Sequence, residues 1–213
     1  MENNSRSGRI TASRAAEMMA SPRAKKDGLF GETAKSYALE LALDRLGIDT
    51  SLITGMDVST WQMDWGNEYE PVARGIYEKS RGISVQLPGF IADENMTGCT
   101  PDGIILAPQG DVVDGNLQIK CPQWSNHLKY YMYGIFDYET NTILEKNYWY
   151  QIQFEMMVTG AKWCDFMTFH PEFPNNLKAK VHRYTRSAGT IAEFKERIPA
   201  FNELITETMQ KLM

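Results

Sequence analysis

The segment from Gly98 to Pro122, GCTPDGIILAPQGDVVDGNLQIKCP, constrains the fold more than any other part of the chain. Two apolar runs, residues 104–106 and 117–119, flank a stretch rich in Gly, Pro and Asp. Apolar runs on both sides of turn-forming residues are typical of two antiparallel strands joined as a hairpin. The segment therefore predicts a hairpin that ends at Pro122.

The predicted hairpin brings three polar side chains together. Side chains alternate between the two faces of a strand, so Gln118 and Lys120 share one face, and Leu117 and Ile119 share the other. Asp102 stands at the start of the first strand, where the hairpin brings it beside Gln118 and Lys120 on the polar face of the return strand. An acid, an amide oxygen and a lysine on one face form a pattern that could support catalysis.

Composition sets the scale of the fold. The chain has 213 residues, of which 43% are hydrophobic and 23% charged, and this suits one compact domain with a substantial core. We expect a single domain over residues 1–213. It would consist of a basic N-terminal arm and helix, a core and a C-terminal helix, at about 1–28, 29–186 and 187–213. The net charge of −5 does not indicate a nucleic-acid-binding protein, but such binding needs only a locally basic surface.

Three further observations concern location. No apolar run approaches the roughly eighteen residues of a membrane span, and the start, MENNSRSGRI, lacks the apolar core of a signal peptide. The three cysteines are too few for a disulfide framework. We therefore expect a cytoplasmic protein that does not associate with membranes.

Periodicity and turn residues predict the secondary structure. Helices are expected at about 12–20, 33–46, 61–81, 124–133, 147–159 and 188–213, with kinks or breaks near Pro71 and Pro199. Strands are expected at about 83–87, 89–92, 104–106, 117–120, 163–169 and 178–184. This order predicts an α/β fold, with a mixed, mostly antiparallel sheet flanked by helices.

Other stretches could complete a site around the hairpin. Glu70, on a predicted helix, offers a carboxylate of the kind that magnesium prefers. The amides in residues 151–153 could orient a nucleophile or a phosphate, and Arg23 would project from a loop. Residues 6–13, RSGRITAS, place arginines before a capped helix, which suits a phosphate, although Ser13 acting as a plain N-cap needs no ligand.

The motifs as a set resemble a known family. Pro101-Asp102 followed by Gln118-Ile119-Lys120 resembles the PD-(D/E)-x-K nuclease core, with a glutamine in place of the second acid. GRITAS, WGNEYE, CTPDG, LQIKCP and YQIQFEMMVTG follow one another in the order found in phage lambda-type exonucleases, the YqaJ-like viral recombinase family. Five motifs in order are far more specific than one. The resemblance implies a restriction-endonuclease-like core.

The resemblance also implies roles for individual residues. It implies a site for Mg²⁺, with Mn²⁺ as an alternative, made by Glu70, Asp102, Gln118 and the carbonyl of Ile119. It implies catalytic roles for Lys120, Gln153 and Asp102. It further implies contacts to the DNA, with a 5′-phosphate pocket and one arginine near the separating end, at Arg6, Ser13, Thr100 and Arg23.

The function implied by the resemblance is 5′-to-3′ digestion of one strand of double-stranded DNA, which leaves a 3′ single strand for phage recombination. The family works as a ring-shaped homotrimer around DNA ends, beside a single-strand annealing protein, in the bacterial host of a phage or prophage. A ring would explain how an acidic chain binds DNA, because basic residues would line the channel.

Gln118 departs from the family pattern. An amide carries no charge, so it should weaken a site for a dication, and we expect the chain to cut slowly or not at all. The sequence does not distinguish a natural glutamine from an introduced one, although the other motif positions, being intact, favour an introduced one. Two other functions stay open: an endonuclease on the same fold, and a non-catalytic module that binds DNA ends.

Overall fold

Helices and strands alternate along the chain in the computed structural model, which describes residues 6–24, 28–48, 61–110 and 112–213. The elements, in chain order, are β1 (Ile10–Thr11), a 3₁₀ turn (Ala12–Arg14), α1 (Ala15–Met18), α2 (Glu32–Arg45), α3 (Trp61–Arg81), β2 (Ile91–Ala92), β3 (Thr97–Cys99), β4 (Gly103–Leu106), β5 (Val113–Lys120), α4 (Trp124–Tyr133), β6 (Phe136–Asp137), β7 (Thr142–Ile143), α5 (Lys146–Thr159), β8 (Trp163–Phe169), β9 (Ala179–Thr185) and α6 (Ala188–Leu212). This mixed α/β architecture confirms the predicted fold class. The basic residues Lys25 and Lys26 lie outside the described residues.

The largest sheet has the strand order β4-β5-β8-β9. Its central pair, β5 and β8, is parallel, and both outer pairs are antiparallel. Gly103 pairs with Leu117, so Asp102 reaches the level of Gln118, as the hairpin prediction requires. The return strand starts at Val113, four residues earlier than predicted.

The early start of β5 has a packing cause. Gly115 lies inside the strand, and a Cβ atom there would come within 2.4 Å of the indole ring of Trp163. A glycine at position 115 therefore allows the indole of Trp163 to pack against the strand, although the residue type alone favours a turn.

A second, small sheet has the order β1-β3-β2, and two of its strands were not predicted. Ile10 pairs with Thr97 in parallel, so the N-terminal segment is held by residues far along the chain. The helix expected at residues 12–20 is replaced by the 3₁₀ turn and the four-residue α1. A strand as short as β1 carries no periodic signal, and only its distant partner defines it.

The predicted strand at residues 83–87 is likewise not formed as such. Only an isolated bridge joins Gln86 to Ile104 at the edge of β4. In contrast, α3 and α6 run through Pro71 and Pro199 as continuous helices, without the predicted breaks. None of the described helices is both long and apolar enough to cross a membrane.

Helix α5 lies at the centre of the packing. Trp149, Ile152 and Met156 join the cluster under β8, whereas Phe154 joins the cluster formed by the N-terminal segment, α2 and α6. Because α5 is covered on both sides, its polar residues Gln153 and Glu155 are buried as well.

Candidate active site

A cavity of about 410 Å³ opens where α3, the turn before β4 and the end of β5 meet. Helix α3 contributes Glu70, the turn before β4 contributes Asp102, and β5 contributes Ile119 and Lys120. The structure therefore brings four of the predicted site residues to one cavity. Gln118 lies directly behind them and is 1% exposed.

Asp102 is held by two donors from β5. Its Oδ2 accepts the backbone N–H of Ile119 at 2.6 Å and a hydrogen bond from the side-chain amide of Gln118. The carbonyl oxygen of Gln118 accepts a hydrogen bond from Nε2 of Gln151 at 3.0 Å. Gln118 thus presents its NH₂ group to Asp102 and its oxygen to α5.

The two carboxyl groups in the cavity influence each other. Burial, and next the charge of Asp102, raise the pKa of Glu70 to about 7, although Arg74 lies 3.6 Å from it. Burial also raises the pKa of Asp102, against the opposing effect of Lys120. Like charges gathered in a partly buried cavity are a feature of functional sites, because a cation or a proton is needed to offset them.

The sequence analysis missed a third acid, Glu155. It is 1% exposed, and its Oε1 accepts a hydrogen bond from Nε2 of Gln151 at 2.9 Å. Burial, followed by the charge of Asp102, raises its pKa to about 8. The sequence contains a signal for its position, because a glutamate four residues after Gln151 lies on the same face of the helix.

The resemblance in sequence implies a divalent cation among these groups. Within the described ranges, no group of three or more His, Cys, Asp and Glu side chains could hold a metal ion. Two carboxylates, Glu70 and Asp102, nevertheless line one cavity together with Ile119. Hard oxygen ligands supplemented by water suit magnesium. The donor set therefore fits a divalent cation.

A smaller cavity of about 90 Å³ is lined by Arg6, Ser13 and Thr100, the three residues expected at a 5′-phosphate, and by Gln151 and Glu155. Ser13 lies inside the 3₁₀ turn, whose N-cap is Thr11. Its hydroxyl is therefore not used to cap a helix, and it lies 3.3 Å from the hydroxyl of Thr11.

Two predicted site residues lie elsewhere. Gln153 donates to the carbonyl of Thr185 at 3.0 Å and accepts the N–H of Ser187 at 2.8 Å, so its amide joins α5 to the start of α6. Gln151, two residues earlier and on the other side of the helix, is the glutamine that reaches the site. Arg23 is exposed in the loop after α1 and lines neither cavity.

The fold matches solved exonucleases. The alkaline exonuclease LHK-Exo from Laribacter hongkongensis is 29% identical, with a TM-score of 0.74 over 97% of this chain and 92% of that chain. A structure of LHK-Exo in complex with dAMP, at 28% identity, has a TM-score of 0.75 over the same shares. A phage-related exonuclease from Haemophilus somnus 129PT, 16% identical, shares the fold with a TM-score of 0.74 over 96% of each chain.

The fold is therefore one that this chain shares with alkaline and phage-related exonucleases. A family model described as the YqaJ-like viral recombinase domain matches residues 3–162. The chain belongs to this family. A comparison with curated protein sequences found no match.

Proposed function

We propose that this chain is a metal-dependent 5′-to-3′ exonuclease that acts on ends of double-stranded DNA and leaves 3′ single strands for recombination. The observation that supports it most is that hydrogen bonds through Gln118 join Asp102 in one cavity to Gln151 in another. One holds Glu70, Asp102 and Lys120, and the other holds Arg6 and Ser13. A hydrolytic centre beside an anion pocket suits a substrate with a terminal phosphate.

The acidic cavity would perform the hydrolysis. Glu70, Asp102 and the carbonyl of Ile119 would hold Mg²⁺ or Mn²⁺, with Gln118 as a neutral neighbour. The bound cation would polarise the scissile phosphate and offset charge on the departing oxygen. The Ile119 N–H orients Asp102. Lys120, which lines the same cavity, would position the water that attacks phosphorus while the bond to the 3′ oxygen breaks.

The small cavity would set the direction of digestion. Arg6, Ser13 and Thr100 supply N–H and O–H donors that would bind a terminal phosphate without reading the base sequence. Each hydrolysis at the 3′ oxygen leaves a new 5′-phosphate on the next nucleotide. The product of one cycle is therefore the ligand of the next, which favours repeated cutting from one end.

Gln118 should make the enzyme weak. It replaces a charged oxygen ligand by an amide whose NH₂ group points at Asp102 and whose oxygen already accepts from Gln151. One negative charge fewer lowers the affinity for a dication. We expect slow cutting that needs a high magnesium concentration.

The assembly proposed for the chain is a homotrimeric ring around the DNA, with a single-strand annealing protein as its partner in phage or prophage recombination. Support comes from the family to which the chain belongs. A ring also reconciles a net charge of −5 with DNA binding. Exposed Arg23 would contact the DNA near the separating end.

The test compares the unmodified chain with Gln118→Glu on linear duplex DNA with 5′-phosphate or 5′-hydroxyl ends, over a magnesium titration. We expect faster single-strand digestion by Gln118→Glu at low magnesium, and a preference for the phosphate in both proteins. Asp102→Asn should abolish cutting in both backgrounds. If neither protein cuts, the proposed hydrolysis is refuted.

A matched pair of glutamine variants tests the phosphate pocket. Gln151→Ala should reduce the preference for 5′-phosphate ends, because it removes the two hydrogen bonds that hold Gln118 and Glu155 in place beside the small cavity. Gln153→Ala should leave the preference unchanged and lower stability, because its two hydrogen bonds join α5 to the start of α6. Competition between the two kinds of DNA end measures the preference. Equal preferences in the two variants would show that Gln151 does not contribute to binding of the 5′-phosphate.

A second candidate function is a non-catalytic module that binds DNA ends. The neutral Gln118, held between Asp102 and Gln151, is the observation that favours it. Binding of phosphorylated ends, combined with no hydrolysis by either the unmodified chain or Gln118→Glu, would establish this function instead.

A further inference from the structure

Glu155 is a buried ionisable side chain to which the hydrolysis described above gives no part. Its Oε1 accepts from Gln151, but its Oε2 is buried and has no hydrogen-bond partner within the described part of the chain. A buried carboxyl oxygen without a partner is unfavourable and rare in native proteins. Its presence in the centre of α5 therefore calls for a reason other than packing.

A continuous line of hydrogen bonds connects Glu155 to the acidic cavity. Nε2 of Gln151 donates both to Glu155, at 2.9 Å, and to the oxygen of Gln118, at 3.0 Å. The NH₂ group of Gln118 in turn donates to Asp102. Glu155 also lines the small cavity beside Arg6, so the line of hydrogen bonds runs from the small cavity to Asp102 in the acidic cavity.

We propose that Glu155 is a further acidic residue of this site, and that it supplies from α5 the negative charge that Gln118 does not supply from β5. This rests on the proposed function, since it concerns the same cation site. Glu155 acts through Gln151 and is a positioning residue: its charge favours the cation, and its hydrogen bond fixes the orientation of the Gln118 amide. Asp102 and Lys120 are the other charged groups that act on it.

The state of Glu155 without a cation is consistent with this role. Burial and Asp102 raise its pKa to about 8, so at neutral pH the carboxyl retains a proton until a positive charge offsets the repulsion. A cation bound at the site would offset both the burial of the Glu155 carboxyl and its repulsion by Asp102.

The test is a double-mutant cycle made of the unmodified chain, Glu155→Gln, Gln118→Glu and the double variant. The first readout is Mg²⁺ and Mn²⁺ affinity by calorimetry on metal-free protein without DNA. The second is the shift of the unfolding temperature on adding Mg²⁺. Glu155→Gln conserves shape, so it should fold, and Glu207→Gln, on the exposed face of α6, is the control for loss of one charge.

We expect Glu155→Gln to weaken cation binding about tenfold in the unmodified background, and much less when residue 118 carries its own carboxylate. The double variant, which moves the charge from α5 to β5, should bind the cation at least as tightly as the unmodified chain. Glu207→Gln should change nothing. Equal losses from Glu155→Gln in both backgrounds, or no loss in either, would overturn the proposal.

Two outcomes separate this proposal from the proposed function. If cation binding shows the expected coupling but no variant cuts DNA, the exonuclease function fails and the role of Glu155 stands. If Glu155→Gln leaves cation affinity unchanged and weakens only the binding of 5′-phosphorylated ends, Glu155 belongs to the phosphate pocket and the proposal is refuted.

Discussion

The ion pair between Asp165 and Arg183 leads to a counter-intuitive prediction: removing the more exposed partner should destabilise the protein more. Asp165 lies in the middle of β8 and is fully buried, while the Arg183 side chain is 50% exposed. Two nitrogens of Arg183 donate to Asp165, at 2.7 and 2.8 Å, and the hydroxyl of Tyr77 donates at 2.7 Å. The guanidinium also lies 3.6 Å from the ring centroid of Trp163.

The expected magnitudes follow from which charge remains. Arg183→Gln leaves a buried carboxylate that keeps the hydrogen bond from Tyr77 but loses its cation, and loss of one partner of a buried pair costs about 3–5 kcal/mol. Asp165→Asn leaves a guanidinium that keeps its contact with water and with Trp163, so only hydrogen bonds to a charged group are lost, about 1.5–3 kcal/mol. For a chain of this size each kcal/mol lowers the unfolding temperature by about 2–4 °C, which gives about 6–20 °C and about 3–12 °C respectively.

Thermal and urea unfolding of the two single variants and the double variant measures these values. The double variant should lose less than the sum of the single losses, because it leaves no unpaired charge. Since Tyr77 joins α3, the helix of Glu70, to this pair, a moderate loss of activity should accompany Arg183→Gln. A larger loss of stability in Asp165→Asn, or additive losses, would show that burial of the carboxylate does not dominate.

Two further predictions concern stability. The pKa values of Glu70 and Glu155 are raised to about 7 and about 8, so the native state binds more protons than the unfolded state. The metal-free protein should therefore lose stability as pH rises from about 4.5 to about 8. Binding of Mg²⁺ should reduce this loss. Urea unfolding at pH 5, 7 and 8.5 checks this, and a flat profile without metal would contradict it. Gly98→Ala should destabilise the protein strongly, because the new Cβ would lie 2.2 Å from the ring of Phe90, whereas Gly75→Ala, in open space on α3, should stabilise it by up to about 1 kcal/mol. Thermal unfolding compares the two variants. Equal effects would show that the residues around Gly98 accommodate the new methyl group without loss of stability.

The helices and the hairpin could be predicted from sequence because their signals are local. Periodic apolar residues indicated α2, α3 and α5, and the register of one hairpin was enough to bring Asp102 beside Gln118. The acid of α3, Glu70, followed from motif order. These features depend on residues close together in the chain, or on a pattern that the family shares.

The short strands and the identity of the site glutamine could not be predicted in this way. Ile10 pairs with Thr97 across a large sequence separation, and such pairing leaves no trace in a two-residue strand. Gln151 and Gln153 look equivalent in sequence, but the packing of α5 between two hydrophobic clusters turns one toward Gln118 and the other toward Thr185.

The sequence by itself determined the family, the order of the main helices and strands, and the acid and lysine of the hairpin, since local periodicity and motif spacing encode them. Only the tertiary structure decided that Glu155 is buried against Gln151 and connected to Gln118. The physical reason is that burial and hydrogen bonding depend on which elements cover a helix, and those elements come from distant parts of the chain.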